Sequence, residues 1–336
     1  MTSGIAWRLS GGKRRPRNKL ADFARLGDDN ASAIRNSLKL RGNTVTHRPP
    51  SAKLGPFAML KLLTACWLVM MGVAQASAGD ARPANAWSRV SGPTAGEPQA
   101  IGGFAHGCLA GAVKLPPDGV GYEVIHLLRK RFFGHPEAVD FVERLGERAA
   151  AAGLPKVLVG DMAQPRGGPL PYGHASHQTG LDVDLWFTFA PGPRLSPAAR
   201  ETVALPSMLR PGWRVIDRRR FGNAQITLLR LAATDTRVDR IFVNPVIKAT
   251  LCRILPAHKH TWLHRLRPWY GHDDHFHVRL ECPAHSPACE RQEPIPPGDG
   301  CDAILASWVR DQRPPPPPSL EPPLRARSTP SLPAEC

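Results

Sequence analysis

Five of the chain's thirteen histidines fall in two short stretches: Gly173-His174-Ala175-Ser176-His177-Gln178-Thr179-Gly180-Leu181-Asp182-Val183-Asp184 and His272-Asp273-Asp274-His275-Phe276-His277. Imidazole nitrogens and carboxylate oxygens are ligands that zinc accepts. The first stretch offers His174 and His177 three residues apart, then Asp184 seven residues after the second histidine. In the second, His275 and His277 are two apart, so in a β-strand both side chains leave the same face. Three protein ligands, two nitrogens and one carboxylate oxygen, would leave one position open. An open position marks catalytic zinc, because it admits a water that the ion acidifies to a pKa of roughly 7. A lone histidine is more often a surface or core residue, and His-x-His alone matches many unrelated strands. The combination of both stretches is what argues for a metal.

Residues 173–186 (GHASHQTGLDVDLW) and 267–283 (RPWYGHDDHFHVRLECP) resemble the penicillin-insensitive murein endopeptidase family, whose members are similar in fold to lysostaphin-type and D-Ala-D-Ala metallopeptidases. IGGFAHGC from Ile101, RFFGHPE from Arg131, VLVGDMAQPRGG from Val157, RIFVNPVIKATLC from Arg240 and PPGDGC from Pro296 extend the resemblance over residues 98–310. It implies that His177, Asp184 and His277 hold zinc. It also places His174 near the ion, as a partner of the ligands or an alternative ligand, although a histidine that only stabilises its loop reads equally well. His275, on the strand face of His277, is the candidate general base or oxyanion stabiliser. His272 is the candidate for binding substrate or a transition-state oxygen. Asp182 alternates onto the face of Asp184 and could orient a ligand imidazole. Asp273 and Asp274 read as turn caps. Trp262, Trp269 and Tyr270 either line a groove for peptide and sugar or belong to the core, and His258, His260 and His264 read as a solvated helix face.

The implied reaction is hydrolysis of D-alanyl-meso-diaminopimelyl cross-links in peptidoglycan, with cross-link peptides as partners. Two other readings stay open: a zinc D,D-carboxypeptidase that releases terminal D-alanine, and a non-catalytic module that binds peptidoglycan through the same zinc fold. A second imidazole, His275, beside the ligand strand argues against the last. The sequence shows no P-loop, dinucleotide glycine pattern or serine nucleophile elbow, and it leaves the oligomeric state open.

These residues must be held by secondary structure. Val139, Val142, Leu145 and Ala149 recur at helical spacing within 137–152. Segments 156–160, 182–187, 240–243 and 275–280 read as strands, 226–234 as a second helix, and Gly167-Gly168 as a turn. The fold expected is α+β: a central antiparallel sheet flanked by helices, with the zinc site on the sheet face and disulfides stapling the whole.

Residues 59–78 have a basic start at Lys61, an apolar run from Leu62 to Val73 and small residues at Ala76 and Ala78, the anatomy of a secretory signal. The run is short of the roughly 20 residues a membrane span needs. It also continues past Cys66, which argues against a lipoprotein box at 63–66. The mature chain is therefore expected in the periplasm, with no stable membrane span. Residues 1–58 carry twelve Lys or Arg against three acids, either a basic arm or, the preferred reading, a mis-set start ahead of Met59. Without them and Lys61, the formal charge of +16 becomes +6, which suits an acidic peptide and glycan substrate and does not point to nucleic acid. Residues 79–97 read as a loose leader, 98–310 as the metallopeptidase domain and 311–336 as a Pro-rich tail. Six cysteines outside the signal favour disulfides in an exported chain, and no Cys-x-x-Cys suggests zinc thiolates. The family resemblance implies the pairs Cys108–Cys336, Cys252–Cys301 and Cys282–Cys289.

Overall fold

The computed structural model describes residues 85–313. The basic segment 1–58, the signal 59–78, the leader before residue 85 and the tail from 314, including Cys336, lie outside the described residues. Two small antiparallel pairs flank the main sheet: β1 (Gln99–Gly103) with β2 (His106–Ala110), and β3 (Val113–Lys114) with β6 (Phe133–Gly134). The main sheet has seven strands: β4 (Asp118–Gly119), β5 (Tyr122–Val124), β7 (Val157–Val159), β8 (Asp182–Phe189), β9 (Val238–Val243), β10 (Leu266–Pro268) and β11 (His275–Leu280). Their order is β10-β9-β11-β8-β7-β5-β4.

The sheet is antiparallel through its centre, from β9 to β7, but β10 pairs parallel to β9 and β5 parallel to β7. It is therefore mixed: the expected antiparallel sheet is met in the central strands and not where β10 and β5 join. The reason lies in the connections, because parallel neighbours need a long crossover, usually a helix. Helix α1 (Pro136–Ala151) separates β5 from β7 in the chain, and α4 (Pro245–Ile254) separates β9 from β10. The other helices are α2 (Pro197–Thr202), α3 (Asn223–Ala233) and α5 (Ala303–Asp311). Helix α1 lies against α3, and α4 against α5.

Local chemistry explains where these helices start. Pro136 opens α1 while His135 Nδ1 accepts from the Glu137 amide at 3.3 Å. Burial pushes the His135 imidazole down to about 4, so it stays neutral and able to accept. Asn244 and Pro245 open α4 in the same way, and Asp302 caps α5 by accepting from Leu305. Helix α3 begins a turn before the expected 226, where the Gln225 side chain accepts from the Gly222 amide at 2.9 Å.

One core joins Val142 and Leu145 of α1, Leu228 of α3 and Ile247 of α4 to Val183, Leu185 and Phe187 of β8 and Phe276 and Val278 of β11. Burying each such side chain contributes roughly 1.5–3 kcal/mol. Because strand side chains alternate, this apolar face of β8 and β11 commits Asp182, Asp184, Trp186, His275, His277 and Arg279 to the other face.

Cys252–Cys301 and Cys282–Cys289 are disulfides, and Cys108 is disulfide-bonded, its expected partner Cys336 lying outside the described residues. Cys252–Cys301 spans 49 residues and ties the end of α4 to the approach to α5. Replacing both cysteines by alanine is expected to cost about 2–4 kcal/mol through the freed unfolded chain. Calorimetry reads this directly, and an unchanged Tm would refute it.

Candidate metal centre

The register of the two central strands builds the site. Across β8 and β11, His275 stands opposite Trp186, His277 opposite Asp184 and Arg279 opposite Asp182. Directly opposed residues on one face bring their Cβ atoms to about 4.5–5.5 Å, so two strands alone set a carboxylate beside an imidazole. The loop before β8 supplies the other two histidines. His177 has φ +67°, in the left-handed region that non-glycine residues rarely adopt. Its amide donates to Asp182 Oδ2 at 2.9 Å, which holds the turn in place. Three residues on, Gly180 at φ +74° passes so close to Leu109 that an added Cβ would sit 2.3 Å from Leu109 Cδ2.

Asp184 is the centre of the group. His174 Nε2 lies 3.0 Å from its Oδ2, His177 Nε2 3.5 Å from the same oxygen, and His277 Nδ1 3.2 Å from Oδ1. The donor atoms of His174, His177, Asp184 and His277 all lie within 4.8 Å of one another. A tetrahedral ion with bonds of about 2.0–2.2 Å sets its ligand atoms roughly 3.3 Å apart, so the spacing suits one metal. Both ring nitrogens of His177, wholly buried, and Asp184 Oδ1 have no hydrogen-bond partner among the described residues. Buried polar atoms left without partners are costly, and a bound cation would satisfy one ring nitrogen of His177 together with Asp184 Oδ1. The residues present therefore fit the expected ion.

Behind this group runs a second row. Asp182 Oδ1 is 2.9 Å from His277 Nε2 and accepts from Arg279 Nε at 2.7 Å. The Arg279 guanidinium in turn lies over the Phe104 ring, 4.1 Å from its centroid. Burial would raise the Asp182 carboxyl, but Arg279 and His277 outweigh it and hold it far below the usual range. Asp182 thus stays ionised and leaves His277 Nδ1 as the nitrogen facing Asp184, the arrangement in which a carboxylate orients a metal-binding imidazole. Burial likewise opposes ionisation of Asp184, and His174, His177 and His275 overcome it.

His275 Nδ1–H donates to Asp274 Oδ1 at 2.6 Å, so Asp274 holds an imidazole where a turn cap was expected. Its Nε2 is left buried and without a hydrogen-bond partner among the described residues, 3.9 Å from Asp184 Oδ1. Burial pushes His275 down, but Asp184 and Asp274 more than offset it. His272, at φ +50°, has its ring 4.9 Å from that of His275 and its Nδ1 3.1 Å from the Tyr270 carbonyl. Burial and the charges of His275 and His277 push it down to about 3, so it is neutral and its Nδ1–H can donate to that carbonyl. Asp184 raises the His174 imidazole, yet burial and its neighbours His177 and His275 bring it to about 4.

A cavity of about 870 Å³ adjoins the group. Its walls include His272, Asp274, His275, Tyr270, Trp213 and Gln312. Trp262 belongs to the core, whereas Trp269 and Tyr270 are exposed beside the cavity. His260 is half-buried and pairs with Asp299 at 2.7 Å, in place of the solvated helix face expected for it. Cys301 lies near that pair, but its sulfur is engaged with Cys252. Sequence reasoning passed over Asp161, whose carbonyl accepts from the Asp184 amide while its buried carboxylate pairs with Arg131 at 2.6 Å. Its only sequence signal was a charged residue directly after an apolar strand.

Comparison with known proteins gives first the class: the chain is a peptidase. Residues 100–336 match the penicillin-insensitive murein endopeptidase family, and the chain belongs to that family. The penicillin-insensitive murein endopeptidase of Haemophilus influenzae is 46% identical over 231 residues, which cover 68% of this chain and 80% of that protein. The protein of the same description in Yersinia enterocolitica is 46% identical over 72% of this chain and 88% of its own length. The one in Klebsiella pneumoniae is 43% identical over 78% and 92%.

Proposed function

We propose that this chain is a periplasmic, zinc-dependent endopeptidase that cleaves the D-alanyl-meso-diaminopimelyl cross-link of peptidoglycan. The observation that carries the reading is the buried Asp184, ringed by His174, His177 and His277, with both His177 ring nitrogens, Asp184 Oδ1 and the neighbouring His275 Nε2 buried without a hydrogen-bond partner among the described residues. His177, Asp184 and His277 would hold the ion. His174, whose side chain is 26% exposed, stands at the solvent side of the group. When bound, zinc supplies Lewis acidity that polarises a carbonyl and makes water a nucleophile near neutral pH.

The chain's own residues do the rest. Asp274 holds the proton on His275 Nδ1, which leaves Nε2 free to take a proton from the attacking water and pass it to the leaving amine. His272, with Nδ1–H directed at the Tyr270 carbonyl, presents Nε2 as an acceptor, suited to a substrate N–H and not to an oxyanion. No side-chain nucleophile is needed, so there is no acyl-enzyme for a β-lactam to trap. The cavity continues past His275 to α5, which leaves room for substrate to extend on that side of the group. Among the described residues no helix is long and apolar enough to cross a membrane. The periplasmic placement rests on the signal-like segment 59–78 and on disulfides, which persist in oxidising compartments.

Purified cross-linked muropeptide dimers test the proposal. The protein should convert them to monomers with penicillin present, stop when a chelator is added and resume when zinc is restored. Full cleavage by the chelated protein would overturn the zinc assignment. Release of terminal D-alanine alone would turn the reading to the carboxypeptidase.

A further inference from the structure

Three aromatic side chains form one surface beside the site. Trp269 and Tyr270 are 52% and 44% exposed, and Trp308 of α5 packs against both, with ring centroids 6.1 Å and 4.6 Å away. Large apolar rings left in water at the rim of a binding cavity mark an interaction site more often than a packing accident. Nothing in the hydrolysis described above uses them.

We infer that this surface holds an amino-sugar ring of the glycan strand that carries the cleaved peptide, so that the enzyme reads sugar and peptide together. The inference rests on the peptidoglycan reading of the site. Three observations choose the occupant.

The first is chemical. Aromatic faces carry partial negative charge and meet the polarised C–H face of a pyranose ring well, while offering little to the polar amides and carboxylates of the stem peptide. The second is distance. Ring-to-ring steps of 5.4, 5.5 and 6.1 Å lead from His277 through Phe242 and Trp269 to Trp308. An extended stem of four residues reaches at most about 13–14 Å, which spans the first two steps, so a sugar at the head of the stem can lie at Trp269 while the bond at its foot lies at the metal group. The third is a waiting acceptor. Gln312, directly after α5, is 2% exposed and lines the cavity. Its Oε1 is buried with no hydrogen-bond partner among the described residues. A sugar hydroxyl or acetamido N–H is a donor of the kind it lacks.

Two substrates with one scissile bond make the test: cross-linked dimers that keep their disaccharides, and the same peptide dimers after an amidase has removed the sugars. The intact protein should show a KM about tenfold lower for the sugar-bearing dimer, on the order of what one or two stacking contacts contribute. In Tyr270→Ala and, separately, Trp269→Ala, the ratio of the two KM values should fall towards one. A ratio is insensitive to partial loss of folded protein, since both substrates meet the same sample. Equal KM values for the intact protein, or a ratio left intact in both variants, would overturn the inference. If neither dimer is cleaved, the endopeptidase reading fails, and titration of the full chain with peptide-free glycan strands decides the surface by itself. Quenching of tryptophan fluorescence that is lost in Trp269→Ala supports the inference, and no quenching ends it.

Discussion

His177→Ala and His277→Ala should each lose bound zinc and hydrolysis together, leaving activity no higher than that of the chelated protein. Both imidazoles are buried and both face Asp184, so removing either leaves two ligands where an open catalytic site needs three. His174→Ala supplies the contrast. This histidine lies at the solvent side, and three ligands remain without it, so the variant should keep its zinc. Elemental analysis of the three purified variants checks all of this at once. Full zinc in His177→Ala or His277→Ala would remove that residue from the ligand set, and loss of zinc in His174→Ala would make the set four.

Much of this site was legible because it is local. His-x-His on a strand and two carboxylates separated by one residue fix which side chains share a face, whatever the rest of the fold does. The helix at 136–151 was legible for the same reason, since its apolar stripe is a property of one segment. The pairing of β8 with β11 was not, because about ninety residues separate the two strands in the chain and no local pattern says which strands meet. The parallel pairing of β10 with β9 depends on α4. Asn244-Pro245 is a helix-start signal, and reading it would have placed a crossover between β9 and β10. Helix α5 is a similar case: Asp302 caps it, and Leu305 and Val309 lie on one face, but its nine residues are too few for a strong periodic pattern. Asp274 shows a different limit. Its role depends on whether its side chain turns toward the next residue's imidazole, and that is a matter of rotamer and packing that spacing does not encode.

His275→Ala should separate chemistry from metal binding. His275 Nε2 is 3.9 Å from Asp184 Oδ1, further than the corresponding nitrogens of His174, His177 and His277, and the histidine lies outside the compact ligand group. Its Nδ1 is engaged by Asp274, which holds the ring in one orientation. Trp186 supports it from the other side, with ring centroids 5.0 Å apart. A base so placed has a proton to move and no ligand bond to break. Removing it should therefore leave zinc content unchanged while kcat on muropeptide dimers falls by a factor on the order of 10² to 10⁴, the usual worth of a positioned general base. KM should change far less, since the other walls of the cavity stay in place. Steady-state kinetics paired with metal analysis decides between the roles. Near-normal kcat would take His275 out of the proton path, whereas loss of zinc along with activity would make it a ligand.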